Sequence, residues 1–444
     1  MISGGLAAFA GKRVLLLQGP LGPFFKRLAT DLEGAGAEVL KINFTGGDWL
    51  FSGGPSLMFR DGLDAWGPFL EKVLDEHRID TVLLFGDCRP AHQIAHEIAA
   101  RKGIEIGVFE EGYIRPDYVT LERHGVNGNS LIPRSFDFYL RAKTGVIPPV
   151  HHVGNMFWHA ACWAVLYYLA SALLWPLFHR YQHHRPLSVL EGLPWIRSAW
   201  RKVYYRRKER GAQHQLVTEL SKRFFLVPLQ VHNDAQVHTH SDFTSVEAFI
   251  GHVIASFAKH APAETVLVIK HHPMDRGYHD YASVIQRFGE QAGIAGRLMY
   301  IHDQHLPTLL DHARGVVLIN STVGLSALTH GTPLKCCGAA LYDMEGLTFQ
   351  ESLDAFWEGA ATFAPNRELF QQFLGYLIDT TQLNGSFYRP LPMPGSAAGL
   401  VWERPKRIPV PGEPLVTARI LPLRRAADLA YGTDDEVPLA AENS

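Results

Sequence analysis

Five short polar runs hold residue types that could handle a phosphorylated sugar. Gln230, His232, Asn233 and Asp234 follow directly on the apolar run 224–229, where a dense polar cluster adds nothing to packing. Lys270-His271-His272-Pro273 ends a second apolar run: proline fixes the backbone, and an imidazole N–H can donate to a phosphate or ribose oxygen. Adjacent residues of a strand point to opposite faces, so His271-His272 makes a poor metal pair. Asn320, Ser321 and Thr322 stand where a strand would enter a helix, so hydroxyls, backbone N–H groups and the helix dipole could converge on an anion. Taken alone, Ser321 and Thr322 read equally as ordinary N-caps. Glu110-Glu111-Gly112 pairs two carboxylates, which raises the pKa of one unless arginine intervenes. Arg89 and Arg115 are the candidates for that, or for a bidentate grip on a sugar carboxylate, and Asp87 lies beside Arg89. A raised carboxyl suits general acid–base work. The plainer alternative is a solvated Glu-Glu turn.

These runs need strand ends to hold them. Strands are predicted at 12–17, 38–43, 81–85, 105–109, 224–231, 265–270, 298–301 and 315–319, with helices between them at 24–34, 62–76, 91–102, 245–260 and 281–292. Strands and helices alternating at this spacing make doubly wound parallel sheets. Right-handed crossovers then place the connecting loops on one edge, where ligands bind. Residues 46–49 read as a turn. The expected fold is α/β, with two Rossmann-like domains facing each other across a cleft as in GT-B glycosyltransferases. Its parts would be an N-terminal acceptor-side domain at 1–145, a helical insert at 146–215, a nucleotide-sugar domain at 216–385, and a Pro-rich extension with an acidic, disordered tail at 386–444.

The insert is distinct in composition. Residues 156–178 are almost wholly apolar or aromatic, and His183, His184 and Arg185 follow. A second helix carries Arg197, Arg201, Lys202, Arg206, Arg207, Lys208 and Arg210 among Trp and Tyr. The first stretch is long enough to span a bilayer, but His159 and Pro176 interrupt it, and a span would separate the two halves of one enzyme. An apolar surface beside a basic one describes a segment lying in the membrane interface. Internal packing of the two helices is the other reading.

Bulk composition sets outer limits. Of 444 residues, 47% are hydrophobic and 19% charged, and the formal net charge is −2, which offers nothing to nucleic acid. Four cysteines without CxxC spacing imply no disulfide framework and fit a reducing cytoplasm. Residues 1–11 lack a basic n-region and do not read as a signal peptide.

A Glu-Glu-Gly turn, a His-Pro pair and a Ser-Thr pair resemble the three motifs of bacterial CMP-sugar transferases. The longer strings Gln18-Gly19-Pro20-Leu21-Gly22-Pro23, Gly86-Asp87-Cys88-Arg89-Pro90, Glu110-Glu111-Gly112-Tyr113-Ile114-Arg115-Pro116, Pro228-Leu229-Gln230-Val231-His232-Asn233-Asp234 and Asn320-Ser321-Thr322-Val323-Gly324 resemble the capsule polysaccharide biosynthesis/export proteins of the KpsS/LipB type over residues 12–345. The resemblance implies a retaining β-Kdo transferase that uses CMP-Kdo and needs no metal or other cofactor. It also implies a phosphatidylglycerol-type lipid acceptor, work at the inner face of the cytoplasmic membrane, and capsule assembly and export proteins as partners. Asp234 would be the nucleophile, and Glu111, or else Glu110, the acid–base group. His271, His272, Ser321 and Thr322 would hold CMP, and Arg89, Arg115 or His232 the Kdo carboxylate. A transferase for another CMP-activated sugar acid and a non-catalytic scaffold of the export machinery are the alternatives.

Overall fold

A computed structural model describes residues 5–141, 149–181 and 192–403. The first sheet runs parallel through β1 (Arg13–Leu16), β2 (Glu38–Asn43), β3 (Ser56–Met58), β4 (Thr81–Phe85) and β5 (Glu105–Glu111), and β6 (Tyr118–Arg123) adds an antiparallel edge. Its spatial order is β3-β2-β1-β4-β5-β6. The second sheet is wholly parallel: β7 (Phe224–Pro228), β8 (Val266–Lys270), β9 (Leu298–Ile301), β10 (Gly315–Leu318) and β11 (Leu334–Cys336), ordered β9-β8-β7-β10-β11. Strand order therefore reverses between β1 and β4 in one domain and between β7 and β10 in the other. A crevice opens at each reversal.

The helices form for ordinary reasons. Phe24–Gly34 buries Phe24, Phe25, Leu28 and Leu32, one face at helical spacing. Val246–His260 starts at Ser245, whose side chain accepts from Ala248 N at 3.1 Å, a cap worth about 1 kcal/mol. The stretch expected as a turn at 46–49 is instead a short helix, Gly46–Leu50. Thr45 and Asp48 close a reciprocal capping box that makes so short a helix stable.

Two crossovers displace the expected domain boundaries. Helix Phe136–Arg141 leaves the first domain, and its Phe138 and Tyr139 pack on Phe373 and Tyr376 in the second domain's core. The chain returns after helix Arg367–Thr380: β12 (Gln382–Asn384) pairs antiparallel with β6, so the boundary at 385 falls too late. Phe387, Leu400 and Trp402 then enter the first domain's core beside Phe9 and Phe24, with Phe387 and Phe24 edge-to-face at 4.7 Å. That part of the extension is folded. Residues 404–444, with the expected acidic tail, lie outside the described residues, as do His183, His184 and Arg185.

The apolar insert forms helices Phe157–Leu173 and Trp175–Phe178. The first buries only Ala164, Tyr167 and Ser171 against Gly46–Leu50, where a Cβ on Gly47 would come within 2.5 Å of the Tyr167 ring. The opposite face is open, with Trp158, Leu169 and Leu173 exposed. Among the described residues no helix is long and apolar enough to cross a membrane.

Under the first sheet's crevice lies a buried histidine group. Burial, then the Arg89 charge, pushes His92 down to about 3, and burial beside His96 pushes His124 down to about 4. These rings stay neutral in the fold but take a proton near pH 6.5 when unfolded, so their stabilisation is complete above pH 6.5 and lost as pH falls toward 4. Buried Glu122, pushed up to about 7, acts in the opposite sense, its cost growing as pH rises from about 4.5 to 7. Thermal denaturation should show His92 alone withdrawing roughly 2 kcal/mol between pH 7 and pH 5. His92→Asn should flatten that slope, and an unchanged slope would contradict the assignment.

Candidate active site

Gln230 closes the crevice between β7 and β10. Its Nε2 donates to Asp234 Oδ2 at 3.0 Å and to Asn320 Oδ1 at 3.1 Å, and its Oε1 accepts from Asn320 N. Asp234 also caps helix Ala235–Thr239 through Oδ1, which accepts from Gln236 N at 2.9 Å. Each carboxylate oxygen keeps a lone pair for the half-exposed side of the group. Asn233 is exposed at the turn before it.

Beside them, Asp275 is fully buried and accepts from His232 Nδ1 at 2.5 Å, from His232 N at 3.2 Å and from Tyr281 Oη at 3.3 Å. A carboxylate behind an imidazole fixes its orientation and leaves Nε2 facing outward. The His279 ring packs over His232, centroids 4.1 Å apart. His272 is held by Met274 N, which donates to its Nδ1 at 3.2 Å, so the neutral ring carries its proton on Nε2. Burial lowers its pKa to about 4; Asp275 and Asp234 oppose this, and Lys270 and Arg115 reinforce it. Pro273 opens the turn that follows. Ser321 Oγ accepts from Val323 N at 3.3 Å, while the Thr322 hydroxyl makes no capping bond to helix Val323–Thr329.

Several residues expected at the ligand face inward instead. Lys270 is buried with Nζ donating to His302 O at 2.9 Å. His271 is 2% exposed, paired with Tyr300 Oη at 2.7 Å and pushed down to about 4 by burial. Asn320 Nδ2 donates to Gln236 O at 3.0 Å and to His240 O, so its amide ties β10 to the loop after β7. In the first domain buried Asp87 accepts from Val126 N at 2.9 Å and Asn129 Nδ2 at 3.1 Å, which holds the loop after β6. These four are framework, because each spends its bonds on neighbouring backbone or side-chain groups that it supports.

The first domain's crevice has the same plan. Gln18, after β1, accepts from Arg89 Nη1 at 3.0 Å, while its Nε2 donates to Asp48 at 3.2 Å and to Tyr167 Oη at 3.4 Å. Glu110 and Glu111 alternate across β5. Glu111 accepts from Tyr388 Oη at 2.9 Å on one side. Glu110 turns toward Gly86 and Arg89, and burial, helped by the charges of Glu111 and Asp87, pushes it up to about 7. Of the two, Glu110 has the raised carboxyl that acid–base work would need. Gly112 lets the chain fold back at once, since a Cβ there would meet Tyr118 O at 2.0 Å. That turn sends exposed Arg115 toward His272 of the other domain, within reach of its charge.

The two crevices meet at Cys88. Gln236 Nε2 approaches its Sγ at 3.8 Å and the His240 ring at 3.9 Å, and the Glu110 charge is felt there. His240 is buried and His238 exposed. Sequence reasoning passed over Gln18, Asp275, His279 and Gln236. Gln18 could have been found by its position, two residues beyond β1, as Gln230 is two beyond β7.

The basic helix Gly192–Lys208 is bolted to the donor-side loops. Arg201, expected on the outer face, is buried and donates to Arg276 O at 2.8 Å and His279 O at 3.1 Å. Tyr205 stacks on His302 at 3.4 Å, and Glu209 pairs with His302 Nδ1 at 2.5 Å. Leu193, Ile196 and Trp200 stay exposed beside Lys202, Arg206 and Arg207.

Residues 80–388 match the family model described as capsule polysaccharide biosynthesis protein. The chain is 42% identical over 381 residues to the capsule polysaccharide export protein KpsS of Escherichia coli, covering 85% of this chain and 97% of the relative. It is 41% identical over 391 residues to the capsule polysaccharide modification protein LipB of Neisseria meningitidis serogroup A, covering 85% and 92%. A solved structure titled Thermosulfurimonas dismutans KpsC, beta Kdo 2,7 transferase, aligns over 82% of this chain and 99% of that one, at 16% identity and a TM-score of 0.39. The chain belongs to the capsule polysaccharide biosynthesis protein family.

Proposed function

We propose that this protein is a retaining glycosyltransferase that moves Kdo from CMP-Kdo to a phosphatidylglycerol-type lipid. The observation that carries the reading is the meeting of two crevices, one holding Asp234 and the other a carboxyl group of raised pKa, Glu110. Capsule export and modification proteins among its relatives, and the motifs shared with CMP-sugar transferases, support it.

In the first step an Asp234 oxygen attacks the anomeric carbon, the bond to the phosphate oxygen breaks, and CMP leaves with the electron pair. Gln230 Nε2 and the Gln236 backbone N–H, each donating to one carboxylate oxygen, fix the orientation of Asp234. The His272 Nε2–H, the free Thr322 hydroxyl and Ser321 take the charge of the departing phosphate. Arg115, beside His272, takes the sugar carboxylate. In the second step Glu110 accepts the proton of the acceptor hydroxyl, whose oxygen attacks the same carbon and releases Asp234. Inversion twice gives retention.

The exposed apolar faces of Phe157–Leu173 and Gly192–Lys208, with the basic residues of the second, would rest on the inner face of the cytoplasmic membrane. Capsule assembly and export proteins would receive the product.

Mass spectrometry of short-chain phosphatidylglycerol after incubation with CMP-Kdo should show addition of one Kdo; CMP release only with another CMP-sugar acid would contradict the donor assignment. Asp234→Ala should lower turnover by at least about 10³-fold with the fold intact, and near-normal turnover would exclude it as nucleophile. The kcat/KM for acceptor should rise with pH through about 7, where Glu110 ionises. Glu110→Gln should abolish that limb, and Glu111→Gln should keep it. Changing Arg206, Arg207, Lys208 and Arg210 to Ser should release the protein from anionic vesicles, and unchanged vesicle binding would contradict interfacial docking.

A further inference from the structure

Arg89 is an unexplained cation. Its Nη1 donates only to neutral acceptors, Gln18 Oε1 at 3.0 Å and Gly19 O at 3.5 Å, and its guanidinium lies 5.2 Å from the centre of the Phe85 ring. It makes no ion pair with a carboxylate among the described residues. Asp48, the nearest candidate, is occupied: its Oδ2 accepts from Gln18 and from Phe44 N and Thr45 N, and its Oδ1 from Tyr167 Oη. Glu110, on the other side, is pushed up to about 7 by burial and so carries only part of a charge near neutral pH. A half-buried guanidinium bonded only to neutral acceptors is costly, and a crevice that keeps one is suited to an anion.

Two observations place that anion on the acceptor side. The Arg115 charge reaches His272 in the second domain, whereas the groups coupled to Arg89 are Tyr167, Tyr181, Glu110, Asp48 and His92, all of the first domain or its insert. Tyr167 belongs to helix Phe157–Leu173, whose outer side exposes Leu166, Leu169 and Leu173. Arg89 is thus linked through Gln18 to the inner side of a helix whose outer face is apolar, and it lies next to Glu110.

We infer that Arg89, steadied by Gln18, binds the phosphate of a glycerophospholipid acceptor whose acyl chains lie along helix Phe157–Leu173. This rests on the transferase reading for its direction but concerns binding, so it is tested without turnover. Dihexanoyl phosphatidylglycerol below its micellar concentration should raise the melting temperature of the wild-type chain. Arg89→Gln should weaken that binding roughly 10–100-fold, the loss of a charge-assisted contact, and Arg89→Lys should retain part of it. Dihexanoylglycerol, which lacks the phosphate, should bind both chains equally, and CMP should stabilise both equally. Glycerol phosphate, the anion without chains, should bind wild type at least about tenfold more weakly than the lipid. Loss of CMP stabilisation in Arg89→Gln would move Arg89 to the donor, and undiminished lipid binding would remove it from the acceptor. Equal binding of glycerol phosphate would overturn the placement of the acyl chains. Arg89-dependent lipid binding without any transfer would leave this site standing while the transferase reading fell.

Discussion

A glutamine amide spans the point of strand reversal in each domain, and the geometry of both crevices depends on it. Gln230 joins Asp234 to Asn320 across β7 and β10, and Gln18 joins Arg89 to Asp48 and Tyr167 across β1 and β4. Reversal of strand order leaves a gap that no main-chain ladder closes. A primary amide is suited to bridge it, because it donates and accepts at once and carries no charge to be compensated. With the amide in place, Asp234 and Arg89 each stand in a single orientation with bonding capacity left over.

Around these two joints the histidines divide into framework and site. His271 and His92 are buried and His124 half-buried, all three depressed in pKa, so they contribute to stability near neutral pH. His272 and His232 are held from behind by a backbone N–H and by Asp275 and keep one nitrogen for the cleft. The helix Gly192–Lys208 grips the same loop through Arg201 and Tyr205, so a force on its exposed face would reach His279 and His232 directly.

Much of this was legible in the chain. Helices 24–34 and 245–260 follow from apolar spacing, and the strand ends from apolar runs that stop at polar clusters. Which member of a polar pair faces the ligand was not. Alternation along β5 separates Glu110 from Glu111, but only β6, and Tyr388 arriving from far along the chain, decide which side meets the crevice. Asp87, Lys270 and Asn320 looked like ligand contacts for the same reason: composition marks a strand end, not the direction of a side chain. The return of β12 to the first sheet was hidden because three residues give no periodicity to read.

The central claim is that Asp234 carries the sugar while Glu110 activates the acceptor. Intact-protein and peptide mass spectrometry of the Glu110→Gln variant after incubation with CMP-Kdo tests it most directly. With the second step stalled, a Kdo ester should accumulate on the peptide that contains Asp234. Full turnover to product without any adduct, or an adduct on another residue, would contradict the account.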